Sequence, residues 1–417
     1  VNPATSAESK FVVIGGGAAG LIAARTLEAA GHAPLLLEAS DAVGGRLRTD
    51  EVKGFRLDRG FQVLLTAYPE VRRYLDLEKL GVRAFRPGGH VHTRQRNFRF
   101  ADPLREPAQL FRSALSPVGT LRDKILLARL GFRLMRRDAE ACFTGYTERA
   151  TIDYLWEYGF SEQIVERFFR PFFGGIFLEQ ELRTPAAMLR FILKMFAQGD
   201  AALPAEGIGA VARQLADALE RTEIRLNERV RAIEGDEVVL NTGSRLATRA
   251  IIVACSPNPF FPQLAGAPTQ WKSTTNLYYY STRRLKENRL INLVADPTST
   301  INTFSVLDEV APTYKLHGQG GSLISVTLKE ASERSSLAQA EQDLLRHSGL
   351  PSDALQFLRR YDIDRALPRL DSVAFTQQPT HSRLIDRVFV AGDQQLNGSL
   401  DAAMRSGRLA AEGALRT

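Results

Sequence analysis

Gly15, Gly17 and Gly20, followed by Glu38, are the residues in this sequence whose types and spacing most clearly specify chemistry. The three glycines make a G-x-G-x-x-G run. The first permits a tight turn, the second lets a pyrophosphate lie against bare backbone, and the third lets a helix pack closely on a strand. Ala18 and Ala19 open the helix that would turn free N–H groups and a positive dipole end toward the phosphates. Glu38 lies 18 residues beyond Gly20, where a carboxylate can accept both hydroxyls of an adenosine ribose, and Ala39 follows it. A glycine-rich turn that bound nothing would have no use for that acid.

These residues need a frame, and the flanking sequence predicts one. Residues 10–14 (KFVVI) form a short apolar run. LIAARTLEAAG then carries apolar residues at helical spacing and stops at Gly31, a natural helix end. APLLLE predicts a second buried strand that delivers Glu38. Strand, glycine turn, helix, strand is the first unit of a doubly wound, Rossmann-like α/β sheet. LPAEGIGAVARQLADALE (203–220) predicts a turn running into a helix, and Ile251–Ala254 a further buried strand. Near the end, DRVFVAGD predicts a strand closing on Gly392 and Asp393, and LDAAMRSGRLAAEGAL a helix.

A second cluster follows the first: Gly44, Gly45, Arg46 and Thr49 in ASDAVGGRLRT, then Asp58, Gly60, Phe61 and Gln62 in GFRLDRGFQVLL. Gly44-Gly45 offers another close approach of backbone, and Arg46 can neutralise a phosphate. With the closing run VFVAGD and NGSLDAAMRSGRLAAEGAL, the sequence resembles the superfamily of flavin monoamine oxidases, carotenoid (phytoene) desaturases and protoporphyrinogen oxidases. The resemblance is strong over about 1–65 and 386–415 and looser between. It implies FAD as cofactor. It also implies that Asp58, Gly60, Phe61 and Gln62 run along the isoalloxazine and that Val230 meets the adenine through its backbone. Gly392 and Asp393 would bond the ribityl-pyrophosphate region. Ser399 and Leu400 would join the cofactor contacts, and the Asp401–Ala402–Ala403–Met404 turn would aim a helix N-terminus at the flavin N1–C2=O edge, where reduced flavin carries negative charge.

The resemblance says less about the substrate. Amine oxidases of this superfamily place a lysine on a strand ahead of paired aromatics. Aligning Tyr278 and Tyr279 puts Thr274 or Thr275 at that position, and Lys272 stays open as a two-residue slip. The positions that form an aromatic cage in amine oxidases read Asn397, Gly398, Ser399 and Leu400. The middle segments ADPLREP, SPVGTLRDKILLARL and ERFFRPFFGGIFLEQEL resemble the desaturase branch. Phe168, Phe169, Phe172, Phe173 and Phe177 either wall an apolar tunnel or pack the core. Pocket candidates are Phe61, Gln62, Phe173, Tyr278 and Tyr280. His90 and His92 have a spacing also seen in metal sites, but no further ligand accompanies them. They are expected as surface polar residues, and no metal is expected.

No acid–base pair stands out, as suits chemistry in which the cofactor performs the difficult step. The expected function is an FAD-dependent dehydrogenase or desaturase that takes a hydride from an apolar, isoprenoid- or carotenoid-like substrate onto flavin N5. Two alternatives stay open: an amine or amino-acid oxidase using oxygen, and a flavin-binding carrier or sensor without turnover.

At 417 residues two interleaved domains are expected. The FAD-binding domain takes 1–70, 203–260 and 366–417. An α+β substrate domain is inserted between them, mainly helical over 71–202 and strand-rich over 261–365. Two cysteines, Cys142 and Cys255, build no disulfide framework and suit a reducing, cytoplasmic setting. The first residues lack a basic start and apolar run, so no secretory signal is expected, and no apolar stretch is long enough to span a bilayer. The net charge of +7 comes without an aromatic-plus-basic recognition module, so nucleic acid is not an expected partner. A hydrophobic small molecule is. Arginines are densest over 83–137, a solvated basic face or a site of peripheral membrane contact. The oligomeric state is not legible.

Overall fold

The computed structural model describes residues 10–101, 116–145, 147–263, 269–287, 289–316, 320–329 and 337–417. Among them two large sheets carry the architecture. In the first, five parallel strands run in the order Glu223–Arg225, Leu35–Leu37, Lys10–Ile14, Arg245–Val253, Val388–Val390. An antiparallel ribbon, Val230–Glu234 with Glu237–Leu240, continues from the first half of Arg245–Val253. Arg383–Ile385 pairs antiparallel with Val388–Val390.

The central strands are continuous apolar runs because both faces are covered. Phe11, Val13 and Ile252 point into the main core, whereas Val12, Ile14, Ile251 and Val253 point into a separate outer core. On the main-core side the fingerprint helix Ala18–Ala29 packs against the closing helix Leu400–Ala414. Two glycines set that packing. A Cβ on Gly20 would lie 1.9 Å from the carbonyl oxygen of Gly15, and one on Gly407 would lie 2.0 Å from that of Ala19.

The second sheet has seven strands in the order Leu355–Pro368, Trp271–Ser281, Ser322–Leu328, Ile301–Val306, Ile291–Val294, Gly88–His92, Asn97–Ala101. Neighbours are antiparallel except Ile291–Val294 with Gly88–His92, which are parallel. The last two strands depart from the mainly helical expectation for this part of the chain. Their alternation is hidden because a histidine, His92, occupies one of the buried positions.

The helices between the sheets' sequence segments include Leu121–Met135, Thr151–Tyr158, Arg170–Phe177 and Ala186–Gln198. The first realises the amphipathic pattern of DKILLARLGFRLMRR. It starts at a capping box in which the Thr120 hydroxyl accepts the Asp123 N–H and the Asp123 carboxylate accepts the Thr120 N–H. Most of ADPLREP and the residues before Lys10 lie outside the described residues. No helix among the described residues is long and apolar enough to cross a membrane.

Candidate functional site

A cavity of about 740 Å³ runs from the glycine turn of the first sheet to the near end of the second, within the size range of ligand sites. Its first wall is backbone. Gly15 takes a φ of +108° and its N–H donates to the carbonyl of Leu37. Gly17 caps the fingerprint helix in extended conformation without any side-chain bond, so the N–H groups of the first turn have no competing acceptor there. The Gly44 N–H donates to the Gly16 carbonyl at 2.8 Å, which lays the second glycine pair against the first.

Side chains close this end. Glu38 accepts the Gly16 N–H at 2.6 Å and both the N–H and hydroxyl of Ser40, at 2.8 and 2.7 Å. Its carboxylate is thereby aimed into the cavity with acceptor capacity to spare. Arg46 donates to Asp393 at 2.5 Å and to the Ala366 carbonyl at 2.9 Å, and its guanidinium lies 5.4 Å from the Trp271 ring. The Ser399 hydroxyl caps the closing helix through the Ala402 N–H at 3.0 Å, and that hydroxyl in turn donates to Asn397 at 2.7 Å.

The cavity lining therefore brings together Gly15, Gly17, Ala18, Ala19 and Glu38 with Gly44, Gly45 and Arg46. Gly60, Phe61 and Gln62 meet them, as do Gly392, Asp393, Ser399, Leu400 and Ala403. Four other candidates stand outside the lining. Gly20 packs on Gly15, Ala402 is turned to Ser399, Ala39 only follows Glu38, and Val230 packs on the outer core. A chamber walled by bare glycine backbone, an oriented carboxylate, an arginine and a helix N-terminus fits a dinucleotide.

The far end is mostly apolar, with Phe172, Ile176, Met188, Ile192, Phe196 and Ile291 in its wall. Three pocket candidates are corrected here. Phe173 is wholly buried in the core, one helical step from the lining residue Phe172. Tyr278 donates to the Asp58 carbonyl at 2.8 Å, and Tyr280 donates to that of Gly320 at 3.1 Å. The strand Trp271–Ser281 meets the cavity only at its start, through Trp271, Lys272 and Thr274. The phenylalanine segment divides accordingly: Phe172 lines the cavity, Phe177 both lines it and belongs to the core, and Phe169 and Phe173 belong to the core alone.

Several lining residues had no distinguishing signal in the sequence. Met188, Ile192 and Phe196 repeat every four residues on one helix, a pattern that any core helix also shows. Residues 365–368 line the cavity as well, at the end of the long strand Leu355–Pro368.

Lys272 spends its ammonium group inside the wall. It donates to the Phe177 carbonyl at 3.0 Å, to Glu179 at 2.7 Å and to the Thr184 hydroxyl at 2.9 Å. Asp58, expected along the isoalloxazine, instead sits behind the lining, fully buried. It accepts from Thr49 at 2.6 Å, Tyr314 at 2.7 Å and the Ile208 N–H at 2.9 Å. Burial outweighs those donors and pushes its carboxyl up to about 6.

His90 and His92 are not surface residues. His90 pairs with Glu287 at 2.7 Å and His92 with Asn292 at 2.8 Å, with the two rings 4.1 Å apart. Burial, helped by His90, pushes His92 down to about 4. Among the described residues no group of His, Cys, Asp and Glu could hold a metal ion, and Cys142 and Cys255 are both free.

A family model described as flavin containing amine oxidoreductase matches residues 18–415. Over 82 residues the chain is 42% identical to the L-amino-acid oxidase of Crotalus adamanteus, a stretch covering 20% of this chain and 16% of that protein. Putrescine oxidase of Kocuria rosea is 42% identical over 81 residues, 19% of this chain and 16% of that one. The matches thus span less than a fifth of these curated relatives. A protoporphyrinogen oxidase-like protein from Exiguobacterium sp. 255-15 shares the whole fold, with a TM-score of 0.71 at 18% identity over 99% of this chain and 100% of that one.

Proposed function

We propose, for a chain that belongs to the flavin-containing amine oxidoreductase family and is an FAD-dependent oxidoreductase, a dehydrogenase or desaturase reaction on an apolar, isoprenoid- or carotenoid-like substrate. Bound FAD supplies the hydride acceptor. Gly15, Gly17, Gly44, Gly45 and Arg46 would hold its pyrophosphate region and Glu38 a ribose. The closing helix would present its N-terminus through Ser399 and Leu400.

The observation that carries the substrate reading is the character of the far wall. Phe172, Ile176, Ile192 and Phe196 would exclude water from the C–H bond to be broken and grip a hydrocarbon without polar anchors. The spent lysine supports it: an ammonium has three N–H donors, and all of those on Lys272 are engaged. No N–H is left to hold a water at the reacting carbon.

The test is anaerobic bleaching of the flavin bands. Bleaching by an isoprenoid polyene in detergent, with silence across amines and amino acids, is the expected result. Bleaching by an amine with silence on every isoprenoid overturns the reading.

The second reading is an amine or amino-acid oxidase using oxygen. It is favoured by Asp362 and Arg365, which give the same cavity a polar side. Peroxide released on adding an amine would select it.

A further inference from the structure

The helix Leu121–Met135 uses one side for packing. Asp123, Leu130 and Leu134 are buried: Asp123 accepts from Thr120 and Ser161, and the end of the helix packs on Ala186–Gln198, where Lys194 donates to the Leu134 carbonyl at 3.1 Å. On the opposite side Leu121, Ile125 and Phe132 are 66%, 60% and 53% exposed. At 3.6 residues per turn these three fall within about 40° of one another, so they form a stripe. Exposed Ala128 continues it. Single exposed apolar residues carry no message, but a contiguous stripe rimmed by polar groups marks an interaction site.

Arginines border the stripe. Arg122, Arg129, Arg133 and Arg136 are exposed and fall along one flank, roughly 60–120° around the helix from Leu121. The Arg136 guanidinium lies 4.6 Å from the Phe132 ring and that of Arg133 lies 5.9 Å from the Tyr158 ring. No exposed position of this helix is acidic, and the next acids, Asp138 and Glu140, follow its end.

We propose that this face seats the protein on an anionic lipid surface. The apolar stripe would enter the boundary between headgroups and acyl chains while the arginines meet lipid phosphates and carboxylates. Charge selects this occupant, because a second copy of the chain would bring the same cationic row toward itself. Position agrees with it. The helix beneath, Ala186–Gln198, turns Met188, Ile192 and Phe196 into the cavity, so the seat lies one helix away from the apolar wall. The proposal stands on this surface alone and is independent of the substrate reading.

The test uses the FAD-loaded chain with vesicles of phosphatidylcholine, or of phosphatidylcholine mixed with phosphatidylserine, in a sedimentation assay. Co-sedimentation with the phosphatidylserine vesicles is expected, weakening roughly fivefold for each flanking arginine replaced by glutamine. It should vanish when Ile125→Ser and Phe132→Ser are combined, with FAD content and melting temperature as fold controls. No sedimentation with either vesicle overturns the proposal, and so does binding that the double variant leaves unchanged. A concentration-dependent dimer abolished by the double variant would assign the face to a second copy instead. Should that variant fail to fold, Phe132→Trp serves: its added emission should shift to the blue with phosphatidylserine vesicles, and an unshifted emission overturns the proposal.

Discussion

Lys272 and Glu179 form an ion pair 2.7 Å long within the cavity wall, their side chains only 12% and 14% exposed. The lysine also grips the Phe177 carbonyl and the Thr184 hydroxyl, and Glu179 accepts the Thr184 N–H at 2.5 Å. Together they fasten the turn after Phe177 onto the strand Trp271–Ser281. That turn contains Leu178 and Leu182 at φ of +52° and +54°, a conformation leucine adopts only when its surroundings impose it.

Breaking this fastening has a predictable cost. Lys272→Met leaves Glu179 charged and mostly dry and should destabilise the protein by about 3–5 kcal/mol, measured as a fall in melting temperature. Combining it with Glu179→Gln should cost less than the sum of the two single changes. Additive costs would show that the pair does not act as a unit.

Glu38→Ala should strip the cofactor. Each charge-assisted hydrogen bond to a ribose hydroxyl is worth roughly 1.5–3 kcal/mol, and Glu38 also secures the Gly16 N–H and Ser40. FAD affinity should therefore fall at least about tenfold, read from the flavin-to-protein absorbance ratio after gel filtration. An unchanged ratio would remove Glu38 from the nucleotide site.

Asp58 gives the protein a pH dependence of its own. Burial raises its pKa from 3.8 to about 6, so the folded state holds that proton more tightly than the unfolded chain does. Its contribution is greatest below the unfolded value and is lost as pH rises through the folded one, by roughly 3 kcal/mol in total. The stability of wild type relative to Asp58→Asn should decline from pH 4 to pH 7 in urea titrations. A level difference over that window would show that the carboxyl titrates normally.

Two glycine substitutions should act in opposite directions. Gly407→Ala drives a methyl to 2.0 Å from the Ala19 carbonyl oxygen, forcing the two helices apart at a cost of about 1–3 kcal/mol or more. Gly131→Ala meets nothing within 4 Å and should stabilise its helix by up to about 1 kcal/mol. Melting temperatures of the two variants, run together, check both signs.

The glycine-walled end of the cavity, the proposed cofactor end, is legible in sequence because its demands fall on residue types. Only glycine permits the turn at Gly15 and the contact between Gly407 and Ala19, and only an acid or an arginine can serve at Glu38 or Arg46. The far end makes no such demand. Phe172 faces the cavity and Phe173 the core, yet the two are chemically identical, and only the packing of their helix separates them. Tyr278 and Tyr280 stand on a strand that leaves the cavity after Thr274. His92 is buried and His90 half-buried, bonded to Asn292 and Glu287 from about 200 positions away, a pairing that no local pattern announces.

The contact between Arg46 and Asp393 joins positions 347 residues apart, and it has a consequence for biosynthesis. The glycine turn leaves the ribosome early, but the residues that complete its chamber emerge only after everything between them has been made. Until Leu400–Ala414 arrives, the fingerprint helix lacks its most extensive packing partner. A nascent chain in that state would expose apolar helix surface before the proposed flavin chamber is complete. On the proposed site, cofactor loading would wait for a late stage of synthesis.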